Sequence, residues 1–154
     1  MSARTKARKA ALDVLFESDL RTRDPLQTLE QRIADAESPV RDYTRSLVEG
    51  VTAHRAVIDR RIAASLSTGW TLERMPRVDR AAVRIAVYEI DFLDVPDAVA
   101  AAEAVALVGD LSTDDSPDYV NGLLGKVISS KAGAEPDPEE PVSAAETGEA
   151  QTAV

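Results

Sequence analysis

Cysteine is absent from the 154 residues, and histidine occurs once, at His54. The first absence excludes a disulfide framework, thiolate chemistry and cysteine-based zinc sites. The second removes most catalytic triads and histidine metal centres. None of the seven glycines falls in the spacing of a phosphate loop or a dinucleotide fingerprint. Long apolar runs are missing too. No stretch approaches the ~20 residues of a membrane span, and Asp13, Glu17 and Asp19 interrupt the apolar positions behind the basic start, unlike a signal peptide. These absences point to a cytoplasmic protein, with no cofactor or metal expected and the usual catalytic constellations missing.

Acidic residues are plentiful, yet they do not assemble into a site. Asp59, Asp79, Glu89 and Asp91 read as solvated helix positions or ion-pair partners rather than a catalytic pair. The acidic loop from Asp110 to Asp118 fails as an EF-hand: the sixth position is Asp115 instead of glycine, and Asn121 stands where the bidentate glutamate belongs. Helix capping explains it better, with Asp114, Asp115 and Ser116 placed where a helix start favours negative charge.

The chain carries a formal charge of −9, and six of its acids (Glu135, Asp137, Glu139, Glu140, Glu146, Glu149) lie in 132–154, which holds no Lys or Arg. Removing that segment takes the net charge from −9 to −3. With three prolines, no aromatics and few large aliphatics, it is expected to be a disordered acidic tail. The opposite sign dominates the start. Arg4, Lys6, Arg8 and Lys9 fall among the first nine residues without an acid, directly ahead of an amphipathic pattern. Such a cluster attracts a polyanion, because Arg and Lys contacts to phosphates release counterions, and short basic segments often order only when RNA arrives.

From there the apolar spacing is helical and nowhere alternates with period two, which predicts an all-α body of about seven helices. Ala7, Ala11, Val14 and Leu15 share one face; Asp24-Pro25 and Ser38-Pro39 are expected to open the second and third helices. Gly50 and Thr52 to Arg55 predict a break, and Gly69 a stop. WTLERMP reads as a single helical turn before Pro76. In the helix that follows, Val78, Ala82, Ile85, Ala86 and Phe92 should point inward and Arg77, Arg80, Arg84 and Asp91 outward. Pro96-Asp97 and Ser116-Pro117 open the last two. In the final helix Gly122 is expected to permit close helix contact, and Asn121 to make a specific polar bond or a functional contact. The organisation expected is one domain over 1–131, in sub-bundles of about 5–55 and 56–131, then the tail.

The strings VDRAAVRIAVYEI (78–90), VPDAVAAAEAVALV (95–108) and STDDSPDYVNGLLGKV (112–127) closely resemble the bacterial NusB family of transcription antitermination factors. ARKAALDVLFESDL (7–20) and YTRSLVEGV (43–51) are similar to it in the same order. The resemblance covers nearly all of residues 4–130. It implies two packed helical bundles with no enzymatic activity, which bind single-stranded boxA RNA of ribosomal RNA leaders together with NusE, a small-subunit ribosomal protein, within the Nus complex on RNA polymerase. It further implies RNA contacts at Arg4, Lys6, Arg8 and Lys9 and around Asp115, Tyr119 and Asn121, with Tyr119 able to stack on a base. Phe16, Asp79 and Arg80 fall on the side that meets NusE, and Arg84 could serve either surface.

Two alternatives remain at this stage. One is a homodimer that masks the RNA surface; the other is a relative of the RNA-binding domain of RNA cytosine methyltransferases, disfavoured because the tail stands where a cofactor domain would follow. Deleting 132–154 should leave the melting temperature and the helical circular dichroism per folded residue unaltered, since no core surface is lost. A lower melting temperature in a scanning experiment would contradict the compositional reading.

Overall fold

The computed structural model describes residues 1–131, so the acidic segment 132–154 lies outside the described residues. Seven α-helices and no strand are found among them: α1 (Ala3–Arg21), α2 (Pro25–Asp35), α3 (Asp42–Ala53), α4 (Arg55–Ser65), α5 (Arg77–Phe92), α6 (Asp97–Leu111) and α7 (Ser116–Ser129), with a 3₁₀ turn at Leu72–Arg74. None is long and apolar enough to cross a membrane. Local chemistry sets several boundaries. The Ser2 hydroxyl caps α1 by accepting from the Thr5 N–H at 3.0 Å, and Asp24 caps α2 ahead of Pro25 by accepting from the Leu26 N–H at 3.0 Å.

Helices α1, α2 and α3 pack on one another, and α6 and α4 both pack on α7. Helix α5 touches α1, α3, α4, α6 and α7, and every residue from Asp79 to Ile90 except Arg80 is buried. Leu12, Leu47, Ile58, Ile62, Ile85 and Leu124 are among the largest fully enclosed side chains around it. Apolar burial of this kind contributes about 25 cal/mol per Å² and is the main drive for assembly.

Several sequence expectations need correction. Ser38-Pro39 opens no helix; α3 starts at Asp42, after Arg41. The break falls at His54, inside the expected Thr52 to Arg55 stretch, but α4 stops at Ser65, while Gly69 occupies the turn beyond it with φ +88°. Phe92 is 37% exposed and stacks on His54, with ring centroids 4.2 Å apart. Arg84, expected outside, is buried, because α5 has no solvated face to offer it. Asp79 is likewise interior rather than solvated, whereas Glu89, also buried, is an ion-pair partner as expected, of Arg8. Gly122 lies against nothing within 4 Å, so it mediates no close helix contact.

Close approach is required at Gly50 instead. A methyl group there would overlap the phenol of Tyr88 on α5, itself stacked on Phe92 at 5.5 Å. Alanine is the better helix former by about 1 kcal/mol. Gly50→Ala is nevertheless expected to lower stability by about 1–3 kcal/mol in urea unfolding, because the ring must leave its packed position. A stabilised variant would mean that the α3–α5 contact is looser than described.

Candidate nucleic-acid interface

The basic start is already helical. Arg4, Lys6, Arg8 and Lys9 all lie in α1, whose first turn contains no acid. Cations near a helix N-terminus oppose its dipole, so this placement weakens the helix locally. The positions divide by face. Arg4 and Lys6 are exposed, and Lys6 makes no side-chain interaction among the described residues. Lys9 is half-buried and pairs with Asp13 at 3.4 Å.

Arg8 departs from the expectation for a surface phosphate ligand. It is buried, its Nε donates to Glu89 Oε2 at 2.8 Å, and its Nη1 lies 3.3 Å from Glu103 Oε1. Burial works against its charge, but the Glu89 charge and hydrogen bond raise its affinity for the proton above the ordinary value. The Tyr43 hydroxyl also donates to Glu89 Oε2. Burial first, then the hydrogen bond and charge of Glu89, push the Tyr43 phenol up to about 12. The Arg4 guanidinium lies over the Tyr43 ring, 3.9 Å from its centroid. One step along α1, the Thr44 hydroxyl donates to the Ala7 carbonyl at 3.0 Å. Helix α1 is thus fixed to α3, α5 and α6 just behind its two exposed cations.

A second group gathers where α5 and α7 begin. Asp79 is buried in the first turn of α5, and its Oδ2 accepts from the Ser116 hydroxyl at 2.8 Å. Ser116 Oγ in turn accepts from the Thr113 N–H at 3.3 Å. Asp115 is exposed and occupies the cap position of α7 without a side-chain cap, so the expected capping is not made and Ser116, the first residue of the helix, instead joins the preceding loop to Asp79. Tyr119 is half-buried; burial and the Asp79 charge raise its pKa, and its hydroxyl finds no partner among the described residues. Asn121 is exposed and makes no side-chain hydrogen bond among them, which removes the expected structural bond.

The residues assigned to a protein partner are divided in the same way. Phe16 is half-buried on the flank of α1. Arg80 reaches Asp19 Oδ2 at 2.6 Å and the Leu72 carbonyl at 2.8 Å. Burial pushes the Asp19 carboxyl up, but the Arg80 hydrogen bond and the charges of Arg80, Arg84 and Arg77 outweigh it and hold that carboxyl below the ordinary range. Arg84 forms a two-pronged pair with Asp59, at 2.8 and 3.1 Å. Asp79 and Arg84 therefore present no surface of their own. Sequence reasoning missed Tyr43, Glu89 and Glu103 as members of the α1 anchor. A charged residue inside the run AVYEI was the available signal.

The model of the NusB family matches residues 5–129. The chain belongs to the NusB family. It is 55% identical over 132 residues to the transcription antitermination protein NusB of Nocardioides sp., covering 85% of this chain and 97% of that one. The corresponding protein of Acidothermus cellulolyticus is 56% identical over 144 residues, covering 92% and 99%. Among solved structures, T. maritima NusB superposes with a TM-score of 0.76 at 29% identity, covering 86% and 94%. A chain from a crystal structure of antitermination factors NusB and NusE in complex with dsRNA gives 0.73 at 27% identity, covering 82% and 96%. The protein is a transcription antitermination factor of the NusB type, a non-enzymatic family.

The two kinds of cation in α1 should respond differently to substitution. Truncating one partner of a buried pair typically costs about 3–5 kcal/mol, so Arg8→Ala should lower the urea midpoint strongly. Lys6→Ala should change stability by less than about 0.5 kcal/mol. Equal, small effects would place Arg8 at the surface.

Proposed function

We propose that this factor binds single-stranded boxA RNA of ribosomal RNA leader transcripts, does so best as a heterodimer with the ribosomal protein NusE, and acts in the cytoplasm within the Nus complex on RNA polymerase. The observation that carries the reading is the placement of Arg4 and Lys6 on a formed helix whose dipole they oppose. Lys6 has no side-chain partner within the described residues and Arg4 meets only the face of the Tyr43 ring, so both charges stay available to a polyanion. The likeness to a chain from the structure of NusB and NusE with dsRNA supports the same assignment.

In this reading Arg4, Lys6 and Lys9 supply phosphate contacts, while Arg8 contributes from within by holding α1 in place. Asp115, Tyr119 and Asn121 form a second RNA contact at the start of α7. Phe16 and Arg80 face NusE; Asp79 and Arg84 support that side by joining α5 to α7 and α4.

Binding of boxA-like RNA should weaken with salt. About three phosphate contacts on a single strand give a slope of roughly −2 in log affinity against log salt. Replacing Arg4, Lys6 and Lys9 together by Ala should flatten the slope, whereas a folded Arg8→Lys variant should retain it. A triple variant with the parental slope would show that the phosphates lie elsewhere.

A further inference from the structure

Trp70 is the single tryptophan of the chain and is 44% exposed. Tryptophan is highly buried on average, so an indole left this exposed calls for a reason. The indole lies outside the buried core and meets it through Tyr119. The turn that carries it is well defined. Gly69 takes up a positive φ of +88°, and the Trp70 N–H donates to the Ser67 carbonyl at 3.0 Å. The Arg74 guanidinium stands 5.2 Å from the indole centroid and is held by donating to the Gly69 carbonyl at 2.8 Å.

The indole also meets the second group described above. Its centroid is 5.7 Å from that of Tyr119, with the rings tilted by 46°. Of the two aromatics Trp70 is the more exposed; Tyr119 is half-buried, with its hydroxyl enclosed. The Tyr119 ring that the indole meets also lines a groove of about 220 Å³, together with Leu66, Leu123, Lys126 and Asp118.

We propose that Trp70 is a stacking platform for an unpaired nucleobase, with Arg74 as its flanking cation; the proposal rests on the RNA-binding reading above. Every base has a π-face that stacks on an indole, and an arginine beside the ring adds cation–π attraction, so the platform is tolerant of sequence. Asp118 in the groove and the exposed Asp114 and Asp115 disfavour a run of phosphates there. The site therefore receives bases, while the phosphate contacts belong to α1. Because stacking releases few counterions, loss of Trp70 should alter affinity without altering the salt slope.

The lone tryptophan makes the test direct. Full-length protein is titrated with boxA-like single-stranded RNA carrying a dye, and indole emission and dye anisotropy are read together. Quenching of the indole should follow the anisotropy curve, and a duplex of the same sequence should leave the emission unchanged. W70A should bind roughly tenfold more weakly with the parental salt slope, and W70F, which keeps a stacking face, should bind nearly normally. The quenching is measured on the unaltered chain, so it decides the matter even if W70A fails to fold. RNA that binds by anisotropy with no quenching and no loss in W70A would overturn the platform and leave the RNA reading standing. Quenching produced by a protein partner without RNA would assign the indole to that interface and overturn it too. Absence of any anisotropy change would remove both readings.

Discussion

A helix enclosed by its neighbours can carry charge only where another element meets that charge. Helix α5 is enclosed in this way and holds three such residues, Asp79, Arg84 and Glu89, all buried. Positions five apart on an α-helix are rotated by about 140°, so the three point to three different sides. Each finds a different neighbour: Asp79 meets Ser116 of α7, Arg84 meets Asp59 of α4, and Glu89 meets Arg8 of α1 and Tyr43 of α3. An unpaired buried charge is costly, and hydrogen bonds are directional where apolar contacts are not. The apolar side chains drive assembly; these pairs discriminate among the registers in which it could occur.

The same helix sets the spacing of the two surface regions assigned to RNA. Glu89 anchors the basic start of α1 near one end of α5, and Asp79 lies beneath Tyr119 and the start of α7 near the other. Ten residues separate them, a rise of about 15 Å. Both regions thus hang from one rod instead of from separate loops. A mutation within α5 can disturb RNA binding at a distance without touching RNA, and it will do so through the same buried groups that hold the fold.

How legible all this was in the sequence depends on what each residue faces. The helical period, the Asp24-Pro25 start and the turn before Pro76 were readable because apolar spacing and capping are local. Arg84 was misjudged because a 3.6-residue pattern assumes one wet face, and a central helix has none. The sign reversal at Arg4 and Lys6 was visible at once, whereas the pairing of Arg8 with an acid 81 residues away was not. Ser38-Pro39 and the Asp114-Asp115 cap carried valid local signals that neighbouring residues pre-empted: α3 begins at Asp42, and Ser116 closes the loop before α7. Trp70 gave no periodic signal, since it belongs to a turn.

The anchoring of α1 bears on how few cations the factor presents. A flexible basic arm must lose its backbone freedom when it meets RNA, and that loss opposes binding at about 1–2 kcal/mol for each residue ordered. Here the Ser2 cap and the Arg8 brace have ordered Arg4 and Lys6 before any ligand arrives. The entropic loss belongs to folding, so the electrostatic gain from each exposed cation is available to binding nearly undiminished. A short, stiff basic helix can then match a longer and more heavily charged tail that begins disordered.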